Sequence, residues 1–197
     1  VRKAINHLKK ADPVMAAIIE QVGPCLMRQT EPTFESLARS IVYQQLHGKA
    51  AATIYSRLVA ATSNPMLPEA ILLLSHEQMR ALGLSMQKAK YIRDLAERTA
   101  RAEIDFTGML EMADQEVIDA LTQVKGVGVW TVQMFLMFSL KRPNVLPTGD
   151  LGIRNAVKKA YRMRKTPTPA DIEKRAKPWH PYCSVASWYL WRSLEIE

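Results

Sequence analysis

Leu121-Thr-Gln-Val-Lys-Gly126-Val-Gly128-Val-Trp130-Thr131 is the stretch on which the reading of this chain turns. Its two glycines, two positions apart, interrupt helical patterning on both sides. Asp114 opens a helix that ends near Gln123, and another runs from about Val129 to Leu140. A tight turn takes glycine where φ is positive or where something must approach the backbone closely. The helix that starts at such a turn leaves its first N–H groups unpaired and presents the positive end of its dipole. Together these make an anion site suited to a phosphate. Taken alone, such a turn is more often a plain helix–helix connection that happens to hold two glycines.

The rest of the chain also reads as helix joined by short loops. Asp12-Pro13 is an N-cap followed by proline at the first helical position, and Gly23-Pro24 ends that helix. Thr33 caps a helix running to about His47, with Phe34, Leu37, Ala38, Ile41 and Val42 on its apolar face. An alanine-rich helix follows Gly48. Pro68 and Ser75 open two short helices, and Ser75 with Gln78 has capping-box spacing. Ser85 opens a longer helix to about Ala102. Further helices start near Asp150, at Thr168-Pro169 and at about Pro181. The fold class that follows is all-α.

The chain has 197 residues, 48% of them hydrophobic and 23% charged, which suits a folded domain with a real core rather than a disordered segment. Two distant cysteines, Cys25 and Cys183, argue against a zinc site, a cysteine-ligated iron–sulfur cluster and a disulfide framework. No apolar run reaches the ~20 residues of a membrane span, and the N-terminus lacks the features of a signal peptide. The first residue is Val, so residues upstream of it are expected. Lys and Arg number 27 against 19 Asp and Glu, a net charge of +8. Residues 141–165 hold Lys141, Arg142, Arg154, Lys158, Lys159, Arg162, Arg164 and Lys165 against the single acid Asp150, a surplus of +7. Such a stripe is either a solvated helix face or the footprint of a phosphate backbone.

Asp150 stands 22 residues after Gly128, in Pro147-Thr-Gly-Asp150. The hairpin and the aspartate at this spacing resemble the helix–hairpin–helix (HhH-GPD) DNA glycosylase superfamily, and within it the DNA-3-methyladenine glycosylase II family. Upstream, Ile41-Val-Tyr-Gln-Gln-Leu-His47 resembles that family's early Gln-Gln helix. Downstream, Trp179-His-Pro-Tyr-Cys-Ser-Val-Ala186 resembles its closing helix. The resemblance spans about residues 30–195. It implies a two-lobed helical fold with the active-site cleft between the lobes: residues 32–146 as one lobe, and 1–31 with 147–197 as the other.

Two departures matter. Lyase-type members of the superfamily carry a Schiff-base lysine two residues after the second glycine, where this chain has Trp130; Lys125 precedes the first glycine. Cluster-bearing members need four cysteines near the C-terminus, where this chain has one. Both point to a monofunctional enzyme that requires no cofactor and has no iron–sulfur cluster. Relatives often place Arg where Cys183 stands. Larger members carry an additional N-terminal domain, so a compact form is expected here.

The resemblance implies a role for each matching residue. Asp150 is the catalytic carboxylate, stabilising an oxocarbenium-like transition state, activating water, or both. Capping of the following helix is the ordinary role for such an aspartate, and the two are compatible. Trp130, Tyr182, Trp179 and Tyr43 are matched to the aromatic base pocket, where an alkylated, positively charged purine is held by cation–π attraction; Trp188, Tyr189 and Trp191 are read as core. Gln45 matches the residue that fills the hole left by the flipped base, and His47 one that probes the minor groove. Gly126, Gly128, Val129, Thr131, Lys125 and Arg154 complete the DNA-binding set. The carbonyls of Thr122, Val124 and Val127 match a structural monovalent cation site, for Na+ or K+. The implied partner is damaged double-stranded DNA and not a membrane, the implied state a monomer, and the implied location the cytoplasm or nucleus, on DNA. A non-catalytic DNA-binding module and a bifunctional or mismatch-specific glycosylase are the competing readings.

Overall fold

Asp12 shows how local chemistry sets the architecture. Its carboxylate accepts from the N–H groups of Val14 (2.9 Å) and Met15 (3.3 Å), capping the helix that begins at Pro13. Its other oxygen accepts from the Tyr161 hydroxyl at 2.5 Å and the Trp179 indole at 2.9 Å. A nearly buried carboxylate is tolerated here because four donors replace the water it loses.

The computed structural model describes residues 1–46 and 48–196, so His47 lies outside the described residues. Among them the helices are α1 (Arg2–Ala11), α2 (Pro13–Val22), α3 (Phe34–Tyr43), α4 (Gly48–Ala61), α5 (Pro68–Leu72), α6 (His76–Ala81), α7 (Met86–Ala100), α8 (Asp114–Leu121), α9 (Val129–Phe138), α10 (Leu151–Ala160), α11 (Pro169–Ala176) and α12 (Cys183–Ser193). Short 3-10 turns occur at Gly108–Leu110 and Lys177–Trp179, and no strand forms among the described residues. Among the described residues, no helix is long and apolar enough to cross a membrane. The expected caps Thr33, Ser75, Ser85 and Thr168 each accept from a backbone N–H three residues on.

Two elements differ from the sequence reading. α1 forms where the sequence reading places no helix: Ala4 and Leu8 are buried on one face, with a basic, solvated opposite face. α3 ends at Tyr43, short of His47, because Gln44 leaves the helical region (ψ 128°) and Gln45 enters the left-handed one (φ 55°).

The chain divides into two units. Residues 30–135 make one, and residues 1–29 with 136–197 make the other. These divisions fall at 29/30 and 135/136, where the sequence suggests 31/32 and 146/147. In the continuous unit, α7 packs on α3, α5 and α6, and α3 on α4. Its core includes Leu37, Ile41, Leu58, Ile92, Leu95, Leu121 and Phe135. In the discontinuous unit, α12 packs on α2 and α10, and α1 on α2. Leu8, Met15, Ile153, Val157, Ile172, Trp179 and Tyr189 fill its interior.

Candidate active site and nucleic-acid interface

The hairpin between α8 and α9 is built by short-range bonds. The Val124 N–H reaches the Leu121 carbonyl and the Val127 N–H the Val124 carbonyl, both at 3.1 Å. Gly126 has φ 77°, and a Cβ there would lie 2.1 Å from the Tyr91 ring, so both conformation and space demand glycine. Gly128 is different. It is exposed, its φ is not in the left-handed region, and a Cβ would meet nothing within 4 Å. Nothing among the described residues requires glycine there. The Gly128 carbonyl accepts from Val132 at 3.1 Å and starts α9, leaving exposed Val129 and Trp130 in its first turn.

Lys125 is pinned from below. Its backbone N–H donates to Asp94 Oδ2 at 3.0 Å, and its ammonium lies 3.3 Å from Asp94 Oδ1. Burial pushes the Asp94 carboxyl up, but its bonds to Lys125 and Arg98 outweigh this and hold its pKa below the ordinary value. The carbonyl donors expected at Thr122, Val124 and Val127 are neutral oxygens, a set suited to a monovalent rather than a divalent ion. That of Val124 keeps one lone pair beyond its turn bond. No cluster of three His, Cys, Asp or Glu that could hold a metal exists among the described residues.

The turn after α3 is tied to this hairpin. Gln44 Nε2 donates to the Gly126 carbonyl at 3.0 Å and to Thr131 Oγ1 at 3.3 Å. Lys88 Nζ donates to the carbonyls of Val42 and Gln44, each at 2.6 Å. Beside them opens a cavity of about 440 Å³ lined by Tyr43, Gln44, Gln45, Trp130, Thr131 and Met134, among others. Trp130 and Tyr43 therefore line one cavity, Trp130 being 48% exposed. The Arg39 guanidinium sits 4.6 Å from the Tyr43 ring centre. Thr131, of the expected DNA-binding set, is 5% exposed, and its hydroxyl accepts from Gln44.

In the other unit, Asp150 heads α10. Its Oδ1 accepts from the Ile153 N–H at 2.7 Å and from Trp191 Nε1 at 2.8 Å. Capping and a second fixed bond thus coexist on one oxygen. Trp191 stacks on Phe138, with ring centres 6.3 Å apart and planes at 27°. Gly152 leaves the space for this: a Cβ there would lie 3.0 Å from both Asp150 Oδ1 and the Trp191 ring.

Three assignments in this unit change. Trp191, read from sequence as core, is only partly buried and holds the Asp150 carboxylate. Trp179, matched to the pocket, is fully buried, with its indole N–H spent on Asp12; a ring enclosed by core residues offers no face to a base. Arg154 is partly committed, since its Nε donates to the Pro167 carbonyl at 3.0 Å. Tyr182 is half-buried, edge-on to His7 at 5.3 Å. Cys183 is buried, and burial pushes its thiol up to about 12. Lys159, Arg162, Arg164 and Lys165 are exposed, as the charge pattern suggests. Nothing in the sequence alone marks Gln44, Lys88, Asp94 or Trp191 for these roles.

Residues 38–181 match the family model of the HhH-GPD superfamily base excision DNA repair proteins. The chain belongs to that superfamily. The matched stretch of this HhH-GPD protein takes in the hairpin, Trp130 and Asp150, while Trp191 lies beyond it. Among curated relatives, DNA-3-methyladenine glycosylase 1 of Schizosaccharomyces pombe is 36% identical, over 98% of this chain and 88% of its own. A structure of the 3-methyladenine DNA glycosylase from that yeast, in complex with abasic DNA, superposes with a TM-score of 0.84 at 37% identity, covering 96% of this chain and 95% of the other. A DNA-3-methyladenine glycosidase from Bacillus halodurans gives 0.86 at 34% identity, covering 98% and 94%.

Proposed function

We propose that this chain is a monofunctional DNA glycosylase of base excision repair. It hydrolyses the N-glycosidic bond of alkylated purines, of the 3-methyladenine and 7-methylguanine type, flipped out of duplex DNA. The observation that carries the reading is the Asp150 carboxylate. It is the lone acid in a basic segment, and one of its oxygens is fixed by Trp191 and Ile153. The names of the relatives support the same substrate class.

Cleavage builds positive charge on the deoxyribose, and a carboxylate aimed at C1′ stabilises it and orients or deprotonates the attacking water. An N3- or N7-alkylated purine already carries positive charge, so it leaves as a neutral base with little acid assistance. Trp130 and Tyr43 supply aromatic faces for that cation, with Tyr182 as a further candidate. Gln45 fills the duplex where the base has left, and His47 probes the minor groove. The backbone N–H groups from Gly126 to Thr131 take a phosphate, with Lys125 and Arg154 adding charge. A monovalent cation held by the carbonyls of Thr122, Val124 and Val127 would join hairpin to phosphate structurally. Trp130 in place of a lysine leaves no amine to form a Schiff base, so the strand is not cut. The protein works as a monomer on damaged DNA.

The test is Asp150→Asn on duplex DNA carrying 7-methylguanine. Base release should fall by about three orders of magnitude with binding retained; release at the wild-type rate would refute the mechanism. Borohydride should trap no covalent adduct with the wild-type protein. Duplex binding with no base release by the wild-type protein would leave a non-catalytic binding module.

A further inference from the structure

Gln45 sits in the left-handed region at φ 55°, a conformation that costs a non-glycine residue about 1 kcal/mol and persists only when its surroundings enforce it. Apolar packing does not supply that enforcement. Cavities of about 440, 220 and 310 Å³ border this turn, and Gln44 and Gln45 line all three. Gln45 itself is exposed, and its side chain makes no hydrogen bond to the described residues.

Polar tethers hold the turn instead. The Lys88 ammonium reaches the carbonyls of Val42 and Gln44 at 2.6 Å each, satisfying a carbonyl at the C-terminal end of α3 from another helix. Its position is otherwise unfavourable. Lys88 lies in the first turn of α7, where the helix dipole opposes a cation, and burial lowers its pKa. The Gln44 side chain adds two bonds to the hairpin, at Gly126 and Thr131.

We infer that Lys88, seconded by Gln44, is a positioning residue that holds the 44–45 turn so that Gln45 projects rigidly into the duplex when the target base leaves it. This rests on the reading of Gln45 as the residue that fills the vacated stack. Lys88 touches neither base nor sugar in this scheme and acts through Gln45.

The test is a double-mutant cycle. Single-turnover release of 7-methylguanine from duplex DNA is measured for Lys88→Met, Gln45→Ala and the double variant. Each single change should slow release about tenfold, and the double variant should be no slower than Gln45→Ala alone. Lys88→Arg, which keeps the donors, should restore most of the rate. Multiplicative losses, or a wild-type rate for either single variant, would overturn the inference. Circular dichroism checks that Lys88→Met folds; if it does not, Lys88→Gln, which keeps a shorter, uncharged donor group, enters the same cycle. A second readout does not depend on chemistry: 2-aminopurine placed beside an abasic site reports entry of Gln45 into the stack. Lys88→Met should suppress its fluorescence change as fully as Gln45→Ala does, and an unaltered change would refute the role. If the wild-type protein releases no base, the glycosylase reading fails while this binding measurement still decides the inference.

Discussion

Trp191 donates its indole N–H to Asp150 Oδ1 at 2.8 Å from a position 41 residues further along the chain, onto the oxygen that also caps α10. A carboxylate held by two donors reaches the transition state without reorganising. Trp191→Phe keeps an aromatic ring against Phe138 and removes the donor. Release of alkylated purine should slow about 10- to 100-fold while duplex affinity changes little. Gly152→Ala should act in the same direction, because the added methyl crowds both partners at 3.0 Å. Single-turnover rates with parallel binding curves check both.

The two hairpin glycines should separate cleanly. Gly126→Ala forces a left-handed alanine into the Tyr91 ring and should destabilise the protein by about 2–4 kcal/mol in chemical denaturation. Gly128→Ala meets nothing within the fold, so its stability should stay within about 0.5 kcal/mol of wild type. If a phosphate approaches there, its DNA affinity falls all the same.

Asp12 governs acid sensitivity. Burial raises its pKa, but the bonds from Tyr161, Trp179, Met15 and Val14 outweigh this, and the net shift is downward. A lowered carboxylate contributes stability above its unfolded pKa and loses it as pH falls through the folded one. Wild-type stability should therefore decline through and below the ordinary aspartate range, and that part of the decline should be absent in Asp12→Ala. At neutral pH the variant should be less stable by about 3 kcal/mol, since the Tyr161 hydroxyl and Trp179 indole lose their acceptor.

The basic segment around Asp150 predicts steep salt dependence. Neutralising about 5 phosphates gives a log–log slope of duplex affinity against salt near −4 to −5. Exchanging Lys159 and Arg162, both exposed, for glutamine should flatten the slope by about one unit for each phosphate left without its cation. Fluorescence anisotropy across a salt series measures it.

These sites differ in how far the sequence reveals them. The helix caps were legible because each is a local bond between near neighbours, such as Thr33 with Ser36 or Ser75 with Gln78. Asp150 was marked by the family resemblance, which its spacing from the Gly128 hairpin and its place as the lone acid in a basic segment carry. The aromatics were not, because tryptophan serves a core and a site equally well. Trp179 and Trp191 lie 12 positions apart with the same indole donor. One spends it on Asp12 and the other on Asp150, and only the folded arrangement distinguishes them. Lys88 was invisible for a related reason: its partners are backbone carbonyls, which every residue has.

The division of the chain also sets an order of events during synthesis. Residues 30–135 form a continuous unit whose helices have all left the ribosome before the other unit has its partners. Of the described helices, α1 and α2 are made first, yet Leu8 and Met15 are buried against residues beyond 150, among them Trp179, whose indole N–H donates to Asp12. The first made of these apolar faces are therefore among the last to be covered. Among the described helices they spend the longest interval exposed, so a premature stop between residue 136 and α12 leaves residues 30–135 complete but the apolar faces of α1 and α2 uncovered and aggregation-prone.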